Sequence, residues 1–143
     1  MLAGRGRRGV ELELECFDTG MIVTALRYHA KGLIPAPLHF QFLFGSRFGM
    51  PATARALANA VDMIPGDATW SVIGIGRAQL QMAMLAMPMG GHVRVGLEDN
   101  IYYRRGELAT GRPSSPASLT TCSTSWALPV ATPAEARRLL GLS

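Results

Sequence analysis

The chain has 143 residues, 48% hydrophobic and 17% charged, with a formal net charge of +4. That length and apolar content fit one globular domain with a sizeable core. The modest charge, scattered along the chain without an aromatic-interleaved basic stripe, argues against nucleic-acid binding.

The basic start "GRGRR", residues 4–8, reads as part of a solvated, flexible flank over residues 1–9. No apolar segment of signal-peptide type follows it, and no run reaches ~18 apolar residues, so neither a signal peptide nor a membrane span is expected. Cys16 and Cys122 stand far apart in no metal or redox spacing. A reducing, cytoplasmic setting is the expectation.

"VELELECF", 10–17, alternates strictly. Glu11, Glu13 and Glu15 share one face, and Val10, Leu12, Leu14 and Cys16 the other. The next segment, 19–32, reads as a helix that ends at Gly32, before Pro35 and Pro37. "LHFQFLFG", 38–45, is a second strand with Phe40, Phe42 and Phe44 on one face and His39, Gln41 and Leu43 on the other. Residues 50–65 read as a helix with Pro51 near its first turn. "TWSVIGIG", 69–76, is a third strand running into glycines, and 77–87 a helix stopped by Pro88 and Gly90–Gly91. "HVRVGLED", 92–99, is a fourth strand.

Strand–helix units in succession with short connections predict an α/β fold: a parallel sheet flanked by helices, with right-handed crossovers. In three of the four strands one face is apolar and the other carries polar groups. That favours a barrel strand, with polar inner groups gathered at the C-terminal rim, over an open sheet covered on both faces.

In the fourth strand Arg94, Gly96 and Glu98 face one way, and Val93, Val95 and Leu97 the other. In an extended strand Arg94 and Glu98 stand roughly 13 Å apart. Asp99 then opens the following loop, where parallel α/β folds place their chemistry. Buried charges must pair, bind a metal or face a water-filled site. An ion-pair network tying the loop down is the competing explanation. The turn "GIGRAQ", 74–79, leads into a helix N-terminus, and free backbone N–H groups there suit an anion.

"GGHVRVGLEDN", with "WSVIGIGRAQL", "ELECFDTGM" and "VATPAEARRLLGL", resembles the β-keto acid cleavage enzyme family over residues ~10–109 and ~129–142, in that family's order and spacing. The resemblance implies a (β/α)₈ barrel with a catalytic zinc ion. It implies transfer of an acetyl unit: a β-keto acid and acetyl-CoA give acetoacetate and a new CoA thioester. It makes Glu98 a metal ligand, and Arg94 and Asp99 the pair that withdraws a proton from the keto acid. The Arg94 charge is expected to depress the Asp99 pKa. Glu13 or Glu15 would receive a substrate ammonium group, or pair with a cation inside the barrel such as Arg94. Gly74, Gly76, Arg77 and Gln79 would hold a phosphate of CoA.

Two departures from the family are expected to limit the site. A (β/α)₈ domain needs ~250 residues, and the four strands here match the family's strands five to eight, the C-terminal half of a barrel. The resemblance implies His-x-His metal ligands on an early strand, and no H-x-H occurs in the 143 residues. Such a chain is expected to be inactive alone, to need a separate N-terminal half or to self-associate. Residues 110–128, rich in Ser, Thr and Pro, show no helical stripe and read as irregular or as two compensating frame slips in the gene. Residues 129–143 return to a helix, with Thr132 as N-cap, Pro133 at N1 and Glu135 at N3. Among the rest, the methionines, Trp70 and Phe17 read as packing, and His29 as a surface helix residue. His39 and His92 start strands, at the face opposite the expected site, in structural roles.

Overall fold

A computed structural model describes residues 11–104, 106–109 and 130–142. The flank 1–9 and the stretch 110–128 fall outside the described residues. Four strands, β1 (Glu13–Cys16), β2 (His39–Phe44), β3 (Thr69–Gly74) and β4 (His92–Val93), form one parallel sheet in the order β1-β2-β3-β4. Helices α1 (Thr19–Ala30), α2 (Ala54–Asp62) and α3 (Gln79–Ala86) make the crossovers. The result is an α/β fold with a four-stranded parallel sheet, consistent with part of a (β/α)₈ barrel.

The phenylalanines set the layering. Phe40, Phe42 and Phe44 are fully buried. They pack with Ile22 and Ala25 of α1, Leu57 and Ala60 of α2, and Met82 and Ala86 of α3. Trp70 and Val72 lie beside Phe40 and Phe42 in register and join the same cluster. All three helices therefore cover one face of the sheet, leaving the other for the residues in between. Of the methionines, Met50 and Met82 are core residues, whereas Met21, Met84 and Met89 are exposed.

Local chemistry fixes the helix ends, with three differences from the sequence reading. Asp18 Oδ1 caps α1 by accepting from the Met21 N–H at 2.9 Å. At the other end His29 Nδ1 donates to the Ile34 carbonyl at 2.8 Å, so His29 ties the helix to the next loop rather than standing free on the surface. Helix α2 begins at Ala54 because Thr53 Oγ1 takes the Ala56 N–H at 3.2 Å. Pro51 lies before this cap and not in the first turn. Pro88 does not end the chain's coiling either: Met87–Met89 continue as one 3₁₀ turn, closed by Gly90 at φ 84°.

Beyond β4 the expected strand stops short, and no fourth crossover helix follows directly. Instead β5 (Tyr102–Arg104) pairs antiparallel with β6 (Glu107–Leu108). Helix α4 (Pro133–Leu139) carries the expected capping box: the Glu135 N–H donates to Thr132 Oγ1 at 3.3 Å, and the Thr132 N–H to Glu135 Oε2 at 2.8 Å.

Candidate active site

The face away from the helices is arranged in rows by the strand register. Glu13, His39 and Thr69 form one row, and Glu15, Gln41, Ser71 and His92 the next. The polar groups sit at the first and middle positions of β2 and β3. Their C-terminal inner positions are Leu43 and Ile73, both buried. The expected polar rim at the strand ends is thus absent from β2 and β3. It is supplied by the segment that follows β4.

That segment corrects the extended-strand expectation. Arg94 still donates its backbone N–H to the Val72 carbonyl at 3.0 Å, one rung beyond β4. The chain then turns at Gly96, whose carbonyl accepts the N–H groups of Asp99 at 3.2 Å and Asn100 at 3.1 Å. The turn brings Glu98 Oε1 to 2.7 Å from Arg94 Nη2. Two charges placed roughly 13 Å apart by a strand are instead a direct ion pair. Leu97, expected on the apolar face, is exposed.

Arg94 reaches sideways across β3. Its Nη1 donates to Gln41 Oε1 at 2.6 Å and lies 3.9 Å from Glu15 Oε1. Two strand spacings are about 10 Å, which an arginine side chain and a glutamine side chain bridge together. Gln41 Nε2 in turn donates to Glu13 Oε1 and, at 3.4 Å, to Ser71 Oγ. The structure thus brings Glu13, Glu15, Arg94 and Glu98 into one network. Neither Gln41 nor Ser71 was singled out from sequence. The available signal was an uncharged amide set among three phenylalanines, on the face opposite them.

His39 and His92 lie on this same face and not on the opposite one as expected: His39 is in register with Glu13 and Thr69, and His92 with Ser71. His39 Nδ1 lies 2.8 Å from Thr69 Oγ1 and its Nε2 3.7 Å from Glu13 Oε1. Burial lowers the His39 pKa, Glu13 opposes that and His92 adds to it. His39 is therefore held neutral on the same face as the network, in a structural role.

Asp99 is also different from expectation. Its pKa is raised, because burial outweighs the Arg94 charge, and Glu98 adds to the rise. Its Oδ2 is buried with no hydrogen-bond partner. Arg94 contributes in the expected direction but loses to desolvation.

The glycine turn does not offer the expected cradle of free donors. The Gly76 N–H donates to the Asp99 carbonyl at 2.9 Å, and the Ala78 N–H to the Ile75 carbonyl at 3.0 Å. Gly76 takes φ +54°, and a Cβ on Gly74 would lie 2.5 Å from the Ala78 carbonyl oxygen. These glycines let the 3₁₀ turn Gly76–Ala78 pass close to β3 and anchor the Asp99 turn. Gln79 is buried, with Oε1 unpartnered, and does not extend to an anion site.

The zinc expectation meets a poor fit. Among the described residues no group of three or more His, Cys, Asp or Glu side chains could hold a metal ion. Glu98 is engaged by Arg94. These residues alone do not make a zinc site.

Among the described residues no helix is long and apolar enough to cross a membrane. Comparison with known proteins gives the site a context. Residues 1–142 match the family described as beta-keto acid cleavage enzyme. A 3-keto-5-aminohexanoate cleavage enzyme of Fusobacterium nucleatum subsp. nucleatum is 46% identical over 94% of this chain and 49% of its own length. One of the same name from Acetoanaerobium sticklandii is 41% identical over 96% of this chain and 50% of its own. A 3-oxoadipate:acetyl-CoA acetyltransferase of Cupriavidus necator is 38% identical over 93% and 48%. The chain spans about half the length of these curated relatives. By the extent of the match, the chain belongs to the beta-keto acid cleavage enzyme family.

Proposed function

We propose that this chain is the C-terminal half of a (β/α)₈ enzyme that cleaves a β-keto acid with acetyl-CoA, giving acetoacetate and a new CoA thioester in the cytoplasm. In that exchange the acetyl group of acetyl-CoA and the acyl group of the keto acid trade places, so no oxidant or reductant is needed. The observation that carries the reading is the turn after β4, where Arg94, Glu98 and Asp99 converge.

Asp99 is the base that accepts the proton from the carbon between the keto and carboxylate groups. A carboxylate whose pKa is raised by burial holds that proton better than an ordinary aspartate. Arg94 offers positive charge to the developing enolate. Glu15, whose contact with Arg94 is long at 3.9 Å, and Glu13 are the carboxylates available to a substrate ammonium group. The zinc ion implied by the family, with Glu98 among its ligands, needs donors beyond the described residues. The N-terminal half of such a barrel would supply them. In the loop at Gly74, Gly76, Arg77 and Gln79, the exposed Arg77 side chain is the group that would meet acetyl-CoA, since the Gly76 N–H is taken and Gln79 is buried.

A second reading, a non-catalytic remnant, is favoured by the missing metal cluster among the described residues. Acetoacetate formation separates the two. The chain is assayed with zinc, acetyl-CoA and β-keto acids, alone and mixed with the first half of the Fusobacterium nucleatum relative. We expect no product from the chain alone and product from the mixture. Asp99→Asn should reduce that product at least ~100-fold, the scale of a lost general base. A mixture that forms no acetoacetate sinks the catalytic reading.

A further inference from the structure

We infer that Gln41 is a positioning residue: its buried amide fixes the Arg94 guanidinium and couples it to Glu13 across the sheet. The inference rests on the arginine–carboxylate site proposed above and assigns a residue to it. Gln41 is 1% exposed and lies on the interior strand β2, two strands from β4. An amide has two unlike ends. Its Nε2 only donates, and it serves Glu13 Oε1 and Ser71 Oγ. Its Oε1 only accepts, and it takes Arg94 Nη1 at 2.6 Å. Turning the amide over would set N–H against guanidinium and oxygen against carboxylate. One orientation therefore satisfies both neighbours, and the charges on either side select it.

The arrangement also strengthens itself. The Glu13 carboxylate polarises the amide through its N–H, which makes the oxygen facing Arg94 a better acceptor. Glu98 holds the other terminal nitrogen, Nη2, at 2.7 Å. The guanidinium is thus gripped at both terminal nitrogens, and the backbone N–H of the same residue is fixed on Val72. A fixed planar fork presents its charge in one direction, which a freely rotating arginine does not.

The test reads Arg94 directly. The chain is treated with phenylglyoxal, and modification of each arginine is followed by peptide mass spectrometry, with exposed Arg55 on α2 as the internal reference. Gln41→Met keeps the side-chain length and removes both hydrogen-bonding ends. Arg94 should then react roughly tenfold faster, the scale of a lost charged hydrogen bond, while Arg55 is unchanged. Gln41→Glu, made together with Glu13→Gln so that the new carboxylate meets an amide and not a second carboxylate, keeps an acceptor facing Nη1, and Arg94 should stay near its original rate. An unchanged Arg94 rate in Gln41→Met overturns the inference, as does a fast rate in the double variant. Should Gln41→Met fail to fold, the double variant decides. In the two-part enzyme, Gln41→Met should lower kcat and leave KM for acetyl-CoA unchanged. Absence of activity in every mixture defeats the proposed function, whereas the reactivity of Arg94 decides the role of Gln41 independently.

Discussion

Asp99 stands between opposing influences, and stability measurements can weigh them. Its folded-state pKa is raised from the ordinary 3.8, first by burial. The folded state therefore holds the proton more tightly than the unfolded chain. The associated stability is present below pH ~3.8 and is lost as pH rises through the folded-state value. Asp99→Asn imitates the protonated form at every pH. Its urea midpoint should match the parent's near pH 3.5 and exceed it at pH 7.5. A variant that is less stable than the parent at pH 7.5 would show that the ionised carboxylate has a partner. His39 runs the other way. Its folded-state pKa lies below 6.5, again chiefly through burial. Its contribution is present above pH ~6.5 and is lost as pH falls through the folded-state value. His39→Gln should flatten that part of the acid limb, read as a smaller drop in urea midpoint between pH 7.5 and pH 5.

Elements were legible where one period served both sequence and packing. The alternation in "VELELECF" and "LHFQFLFG" marked β1 and β2 because one face of each meets the helices. The same alternation in "HVRVGLED" misled, because Gly96 permits a turn and Arg94 with Glu98 forms an i,i+4 pair that a strand forbids. Pattern cannot distinguish those outcomes, since both keep Arg94 and Glu98 on one side. Charged residues drew attention to Arg94, Glu98, Glu13 and Glu15, whereas the neutral Gln41 gave no such signal. The glycine turn was read for its donors, but register and approach distance decided its role. Gly74 lies where a Cβ would press on the Ala78 carbonyl oxygen and, at 2.7 Å, on Gln79 Cα. Both are backbone atoms and cannot swing aside. Gly74→Ala should cost about 1–3 kcal/mol in urea unfolding. Gly66→Ala is the control, because a Cβ there meets nothing within 4 Å. Equal effects of the two would reject the packing role. In α4, Thr132→Ala removes the Oγ1 that accepts the Glu135 N–H, while the backbone N–H at 132 can still donate to Glu135 Oε2; the change should cost about 1 kcal/mol of helix stability, seen as lost helicity by circular dichroism.

Among the described residues, the parallel sheet is covered by helices on one face, and no strand pairs with the outer edge of β1 or of β4. Such edges present unpaired backbone N–H and C=O groups to any other strand. The charges favour one way of meeting. β1 carries Glu13 and Glu15, so two β1 edges brought together repel. β4 runs directly into Arg94, so β4 of one copy against β1 of another sets opposite charges side by side. We expect the chain alone to self-associate head to tail. Weight-average mass from sedimentation should rise with protein concentration, and added salt should weaken the effect. Adding the N-terminal half of a relative should suppress it by occupying the same edges, and the thermal transition should sharpen in that mixture. A chain that stays monomeric at high concentration and melts cooperatively by itself would mean that the sheet closes its own edges, and would count against the proposal that another half of a barrel completes it.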